Sequence, residues 1–152
     1  MKNKNKKNEF FPRDSEGKLV ANRVQGGKRP MSSQTPSIVF DDDNRPALII
    51  GSPGGSSIIN YVTQTMINVL DWNMDMQSAI SAPHIISRNG PALVEKETEA
   101  EMLMEPLKAL GHEVEAVTLM SGLHGIKLIY DDNGRRTLEG GADPRREGYV
   151  AQ

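Results

Sequence analysis

The sequence predicts an α+β domain in which helices pack on a layered sheet. Three observations carry this expectation. Apolar runs come in pairs across polar turns, "SIVF" (37–40) with "ALII" (47–50) and "GIKLIY" (125–130) with "RRTLEGGAD" (135–143). A long stretch after the glycine-rich "GSPGG" (51–55) has helical periodicity. The hairpins and helices are grouped, which favours a layered α+β sheet over alternating parallel βαβ units.

The first segment, 1–28, holds eight Lys/Arg against three acids, whereas the rest of the chain holds ten against seventeen. It has no sustained apolar period and ends in the breaker "QGGK", so it is expected to be a basic, flexible arm preceding a domain over 29–152. Its run "KNKNKK" has no interleaved aromatic residues and is read as a solvated tail, with no nucleic-acid partner expected. Next come the strand runs 37–40 and 47–50, joined by Asp41–Pro46; their continuous apolar character predicts a sheet buried on both faces. Ile58, Ile59, Val62, Met66 and Val69 place a helix over Ser56–Trp72, with Ser56 or Ser57 as its N-cap. A short helix over Asp75–Ser81 ends at the Ala82–Pro83 step, because a residue before proline is pushed out of the helical region. "HIIS" (84–87) is extended. Thr98 with Glu101 forms a capping box opening a helix towards Leu110 and Gly111, which Pro106 should bend or split. "HEVEAV" (112–117) and "GIKLIY" close the domain as strands, the latter turning through Asp131–Gly134.

Composition excludes several chemistries. The 152 residues suffice for one modest core, which must be built from Ile, Leu, Val and eight Met because aromatics make up only 5%. Zero cysteines exclude a disulfide framework, a thiol nucleophile and a cysteine-ligated metal. No apolar run approaches the roughly 20 residues that cross a bilayer, and the lysine-rich start lacks the apolar stretch of a secretion signal, so no membrane partner is expected. His84, His112 and His124 are too widely spaced for a short ligand motif, so no metal and no cofactor are expected. The runs Asp41–Asp43 and Asp131–Asn133 lack the alternating ligands of a calcium loop and are read as hairpin turns. "GSPGG" does not follow the G-x-S-x-G order of a hydrolase elbow.

Two loops are candidate sites. Gly54 and Gly55 lie between a strand and a helix, where free backbone N–H groups at the positive end of a helix dipole stabilise an anion or a developing oxyanion. An ordinary strand-to-helix turn uses glycines at the same place. Ser32 and Ser33 stand between Pro30 and Pro36; adjacent hydroxyls there either donate to a carboxylate or simply form the turn.

Taken together, "GKRPMSSQTPSIVF" (27–40), "IIGSPGGSSII" (49–59) and "GGADPRREG" (140–148) resemble three successive motifs of the small subunit of γ-glutamyltranspeptidases, in the same order and with similar spacing. "GHEVE" and "SGLHGIKLIYDDNGR" resemble that family's closing strands, so the likeness runs from about Lys28 to Gly148. It implies part of an αββα sandwich of the N-terminal nucleophile hydrolase type. In that family a precursor cuts itself, and the threonine exposed at the new N-terminus attacks a γ-glutamyl carbonyl to give an acyl-enzyme that passes to water or an amine. By resemblance, Gly54 and Gly55 are oxyanion-hole positions, Ser32 and Ser33 hold the α-carboxylate of the glutamyl group, and Asp143, Pro144 and Arg145 form a structural turn. Gln34 departs from the methionine common after the serine pair.

The resemblance also fixes what this segment does not supply. "NEFFPRDSEGKLVANRVQGG" (8–27) holds no threonine, and Thr35, Thr63 and Thr65 are internal, without the free α-amino group that serves as base. The expectation is a fragment of a small subunit, inactive alone. Its implied partners are a γ-glutamyl compound such as glutathione and a complementing chain that carries the large subunit and the nucleophilic threonine. The alternative expectation is a non-catalytic interaction module, or a gene remnant, that retains the fold fragment.

Overall fold

A computed structural model describes residues 12–21, 23–29 and 32–151. The run "KNKNKK" and Pro30 lie outside the described residues. Contacts divide the chain into two units, Met1–Ser32 and Ser33–Gln152. Within the first, Arg13 and Leu19 form an antiparallel bridge around a turn that uses Gly17 at φ 79°. Asp14 ties that turn by accepting from the Glu16 and Lys18 amides at 2.9 Å each.

The second unit holds seven strands and three helices: β1 (Ser37–Phe40), β2 (Pro46–Gly51), α1 (Ile58–Leu70), α2 (Met76–Ser81), β3 (Ile85–Ile86), β4 (Ala92–Glu95), α3 (Met104–Ala109), β5 (Val114–Val117), β6 (His124–Tyr130) and β7 (Arg136–Ala142). β1, β2, β6 and β7 form an antiparallel four-stranded sheet in the order β1-β2-β6-β7. Both hairpins close as expected. Asp41 accepts from the Asp43 and Arg45 amides, and Asp131 does the same for Asn133 and Arg135, so each aspartate folds its own turn.

The helices cover one face of that sheet. Leu48 and Ile50 of β2 bury against Ile58, Tyr61, Val62 and Val69 of α1 and Met76, Ala79 and Ile80 of α2, each large side chain contributing about 1.5–3 kcal/mol. α2 approaches β6 and β7 where these strands carry glycine: a Cβ on Gly125 would lie 2.5 Å from Met76 Cε, and one on Gly141 would lie 2.9 Å from the Met76 carbonyl oxygen. Gln77 locks the contact by bonding both the N–H and the C=O of Ala142.

Two expectations, the doubly buried sheet and the serine cap, are corrected. The sheet is not buried on both faces: Ile38, Phe40 and Ile49 point away from the helices and stay exposed, because the strand period of two sends alternate side chains to the side this chain leaves bare. One parallel crossover is present, since β4 and β5 pair in parallel through the intervening helical segment, with β3 antiparallel on the other side of β4. The four-residue β4 was not anticipated. α1 has no serine cap; it continues from a 3₁₀ turn at Gly55–Ser57, and Ser57 makes no capping hydrogen bond. As expected, the helix after Thr98 splits, into a 3₁₀ segment (Glu99–Leu103) and α3. Pro106 causes this because it has no N–H to bond the Met102 carbonyl, which a continuous α-helix would require. Thr98 does cap, accepting from the Ala100 amide at 3.2 Å, while Glu101 reaches back to the Glu97 amide at 2.8 Å.

Candidate functional site: the glycine turn and the buried network beneath it

β2 runs out at Gly51 and the chain enters α1 through Ser52–Ser57. Gly54 adopts φ 139° and Gly55 φ 59°, both in the region that L side chains avoid, so the two glycines are required by the path of the backbone. Both carbonyls are used internally, that of Gly54 accepting from the Ser57 amide at 3.2 Å and that of Gly55 from the Ile58 amide. The Gly54 and Gly55 N–H groups find no acceptor among the described residues. Gly55 is exposed at the positive end of the helical segment. Such an arrangement binds an anion, or an oxygen on which charge develops.

The turn is held from two sides. On one side, Ser52 Oγ accepts from the Gly122 amide at 3.2 Å, and Gly122 is so close to the Pro53 ring that a Cβ there would lie 2.6 Å from Pro53 Cγ. On the other, a Cβ on Gly54 would lie 2.7 Å from Tyr61 Cε2. Tyr61 is buried, and burial pushes its phenol up from its ordinary value.

Beneath Tyr61 lies a buried polar network. The His84 ring stacks obliquely on Tyr61 with centroids 4.6 Å apart. His84 Nε2 is 2.8 Å from Ser121 Oγ, and that hydroxyl donates to Asp143 Oδ2 at 2.5 Å. Arg145 then joins two carboxylates, bonding Asp143 Oδ1 at 3.2 Å and Glu95 through Nε at 2.5 Å and Nη2 at 2.7 Å. Glu95 Oε2 also accepts from the His84 amide at 2.9 Å, which closes the circuit. Burial pushes the Glu95 carboxyl up, but the Arg145 hydrogen bonds and the His84 amide outweigh it and hold the group below its ordinary value. Burial likewise opposes ionisation of Asp143, and donors from Ser121, Leu123 and Arg145 overcome it. For His84, burial first and then the Arg145 charge outweigh the Glu95 and Asp143 charges and lower it from 6.5 to about 4. The expected turn of Asp143, Pro144 and Arg145 is present, with the Arg145 amide bonded to Asp143 Oδ1 at 2.9 Å. Sequence reasoning missed Glu95, Ser121, Tyr61 and the use of His84. The only available signal was the presence of an aspartate and an arginine in a motif that otherwise reads as a turn.

The serine pair is placed less distinctively. Ser32 is exposed in the first unit, and Ser33 is half-buried in the second, its carbonyl accepting from the Thr35 hydroxyl at 3.0 Å. Among the described residues, no three His, Asp or Glu side chains gather into a group that could hold a metal ion.

Comparison with known proteins gives this arrangement its context. The family model described as γ-glutamyltranspeptidase matches residues 2–152, including the basic segment. The chain is 34% identical over 128 residues to the glutathione hydrolase proenzyme of Bacillus subtilis, covering 84% of this chain and 21% of that protein. It is 35% identical over 127 residues to the Escherichia coli glutathione hydrolase proenzyme, covering 82% of this chain and again 21% of the relative. The chain thus spans about a fifth of the length of these curated relatives. A mutant of Helicobacter pylori γ-glutamyltranspeptidase superposes with a TM-score of 0.74 at 31% identity, covering 90% of this chain and 74% of that one. The mixed helix-and-strand fold is therefore that of the N-terminal nucleophile hydrolases. Motif order, fold and the near-complete family match agree, and the chain belongs to the γ-glutamyltranspeptidase family.

Proposed function

We propose that this chain supplies the oxyanion-stabilising turn of a γ-glutamyl transfer or hydrolysis site, acting on glutathione-like amides. The observation that carries the reading is the pair of successive positive-φ glycines, Gly54 and Gly55, whose amides find no acceptor among the described residues at the head of a helical segment. Attack on a γ-glutamyl carbonyl places negative charge on its oxygen, and fixed amide donors favour that charge more than the neutral ground state. The nucleophile in this reading is an N-terminal threonine on a complementing segment, together with the large subunit. Ser32 and Ser33 hold the α-carboxylate. The names of the relatives, glutathione hydrolase proenzymes, support the substrate class.

The test is reconstitution with a threonine-bearing partner and turnover of a chromogenic γ-glutamyl anilide. A Cβ at Gly54 collides with Tyr61 and must displace the turn, so Gly54→Ala should lower kcat by about 10²–10³-fold, the cost of losing an oxyanion donor. Unchanged turnover in Gly54→Ala removes the assignment. A second reading, a non-catalytic interaction module, is favoured by the bare apolar sheet face; it predicts partner binding without turnover.

A further inference from the structure

We propose that Tyr61 and His84 are positioning residues that hold the Gly54–Gly55 amides in place and tie them to the closing Asp143–Arg145 segment; the catalytic consequence rests on the oxyanion reading of that turn. Gly54 sits directly against the Tyr61 ring, at a distance that leaves no room for a Cβ. The Ser57 amide bonds the Gly54 carbonyl, so the turn that this ring backs is closed by its own hydrogen bond. The packing of the ring against Gly54 is no part of the hydrogen bonding of α1, and it fixes the direction in which the turn leaves β2.

Tyr61 is in turn supported from below by His84, which has little freedom. Its backbone amide is bonded to Glu95, and its ring is bonded to Ser121. The single Ser121 proton goes to Asp143 Oδ2, which also accepts from the Leu123 amide. His84 must therefore donate from Nε2, and the neutral imidazole carries its lone pair on Nδ1, which has no partner among the described residues. One tautomer and one ring orientation follow. The segment that fixes the ring also fixes the other side of the turn, because Gly122, next to Ser121, abuts Pro53 and donates to Ser52. Displacement of Tyr61 or His84 thus loosens one side of the clamp while the Ser52–Gly122 side remains.

Amide hydrogen exchange in the full chain tests the brace without any need for turnover. Tyr61→Leu should raise exchange at Gly54–Ser57 by about tenfold or more while Val62–Asn68 in α1 keep their protection, and Tyr61→Phe, which retains the ring, should restore most of the protection. Unchanged exchange at the turn, or an equal rise throughout α1, overturns the brace. If Tyr61→Leu does not fold, His84→Gln keeps a donor towards Ser121 but removes the ring under Tyr61, and it should raise turn exchange by about threefold or more. No rise in that variant also overturns the proposal.

In the reconstituted enzyme, Tyr61→Leu should lower kcat on the γ-glutamyl anilide about tenfold with KM unchanged, because misplaced donors are felt in the transition state. Rescue by Tyr61→Phe supports positioning. A loosened turn with unchanged kcat supports the brace and overturns the oxyanion assignment, so the two claims fail separately. A rise in KM alone overturns the positioning role.

Discussion

At the residue scale, His84 is a titratable side chain almost wholly removed from water, and that burial has an effect of measurable sign. It is 1% exposed and is faced by Tyr61 from α1, Glu95 from β4, and Asp143 and Arg145 from the segment after β7. Its folded value of about 4 lies below the ordinary histidine value of 6.5. As pH falls below 6.5 the unfolded chain takes up a proton that the folded chain refuses, so stability declines until about pH 4 and then levels as far as this group is concerned. The difference corresponds to about 3 kcal/mol lost between pH 7 and pH 4. Urea unfolding across this range should show the decline, and His84→Gln should flatten it. An equally steep profile in the variant would place the titration elsewhere. The carboxylates act in a lower window, because the depressed Glu95 and Asp143 contribute stability above the unfolded carboxylate range and lose it only as they protonate. None of this was legible in the sequence. A lone histidine after Ala82-Pro83 carries no local signal, since its partners Glu95, Ser121 and Asp143 are brought to it by three different strands and loops.

At the element scale, legibility followed locality. β1, β2, α1, α2, β6 and β7 were all readable, because each has its own period and its own turn residues. Asp75 is an example: it stands before α2 and caps it by accepting from the Ser78 amide at 2.8 Å. β4 was not readable. It is four residues long, and its partners β3 and β5 are set by long-range pairing on either side. The glycines of β7 were likewise legible as glycines but not as contact points. Gly141 does not have a positive φ, so its importance lies in space alone: a Cβ there would meet Ile80 Cδ1 and the Met76 carbonyl oxygen at 2.9 Å each. One of those neighbours is helix backbone, which cannot swing aside as a side chain can. Gly141→Ala should therefore push α2 off the sheet and cost about 1–3 kcal/mol of unfolding free energy, the range for overpacking a close contact. Gly134→Ala is the comparison: nothing lies within 4 Å of its Cβ, and its cost comes only from φ 75°. A Gly141→Ala protein as stable as the parent would mean that α2 accommodates the methyl group by sliding, and that the Gln77–Ala142 bonds do not fix its position.

At the scale of the whole molecule, the sequence pattern correctly marked both faces of β2 as apolar, but a single chain cannot reveal which face its own helices will cover. In the register of the sheet Ile38 lies beside Ile49, and Ile49 beside Ile126, making one cross-strand row on the face away from α1 and α2. Leu138 extends the patch on β7, paired with Leu128 of β6. Ile38 and Leu138 are each 55% exposed and Ile126 is 42% exposed, so the apolar surface is continuous across four strands and open to water. Surface of that kind marks an interaction or association face in a soluble protein. Sedimentation velocity on the chain by itself should show concentration-dependent self-association at about micromolar to tens of micromolar, the range in which exposed apolar surface drives aggregation. Ile126→Lys combined with Leu138→Lys should suppress it. Because neither side chain is buried, unfolding free energy should change by only about 0.5 kcal/mol for each. If the parent stays monomeric throughout, or the double variant associates as strongly, the face is not adhesive and the interaction-module reading loses the observation that favours it. If association disappears while stability holds, the face can be tested directly as the site where a complementing chain docks.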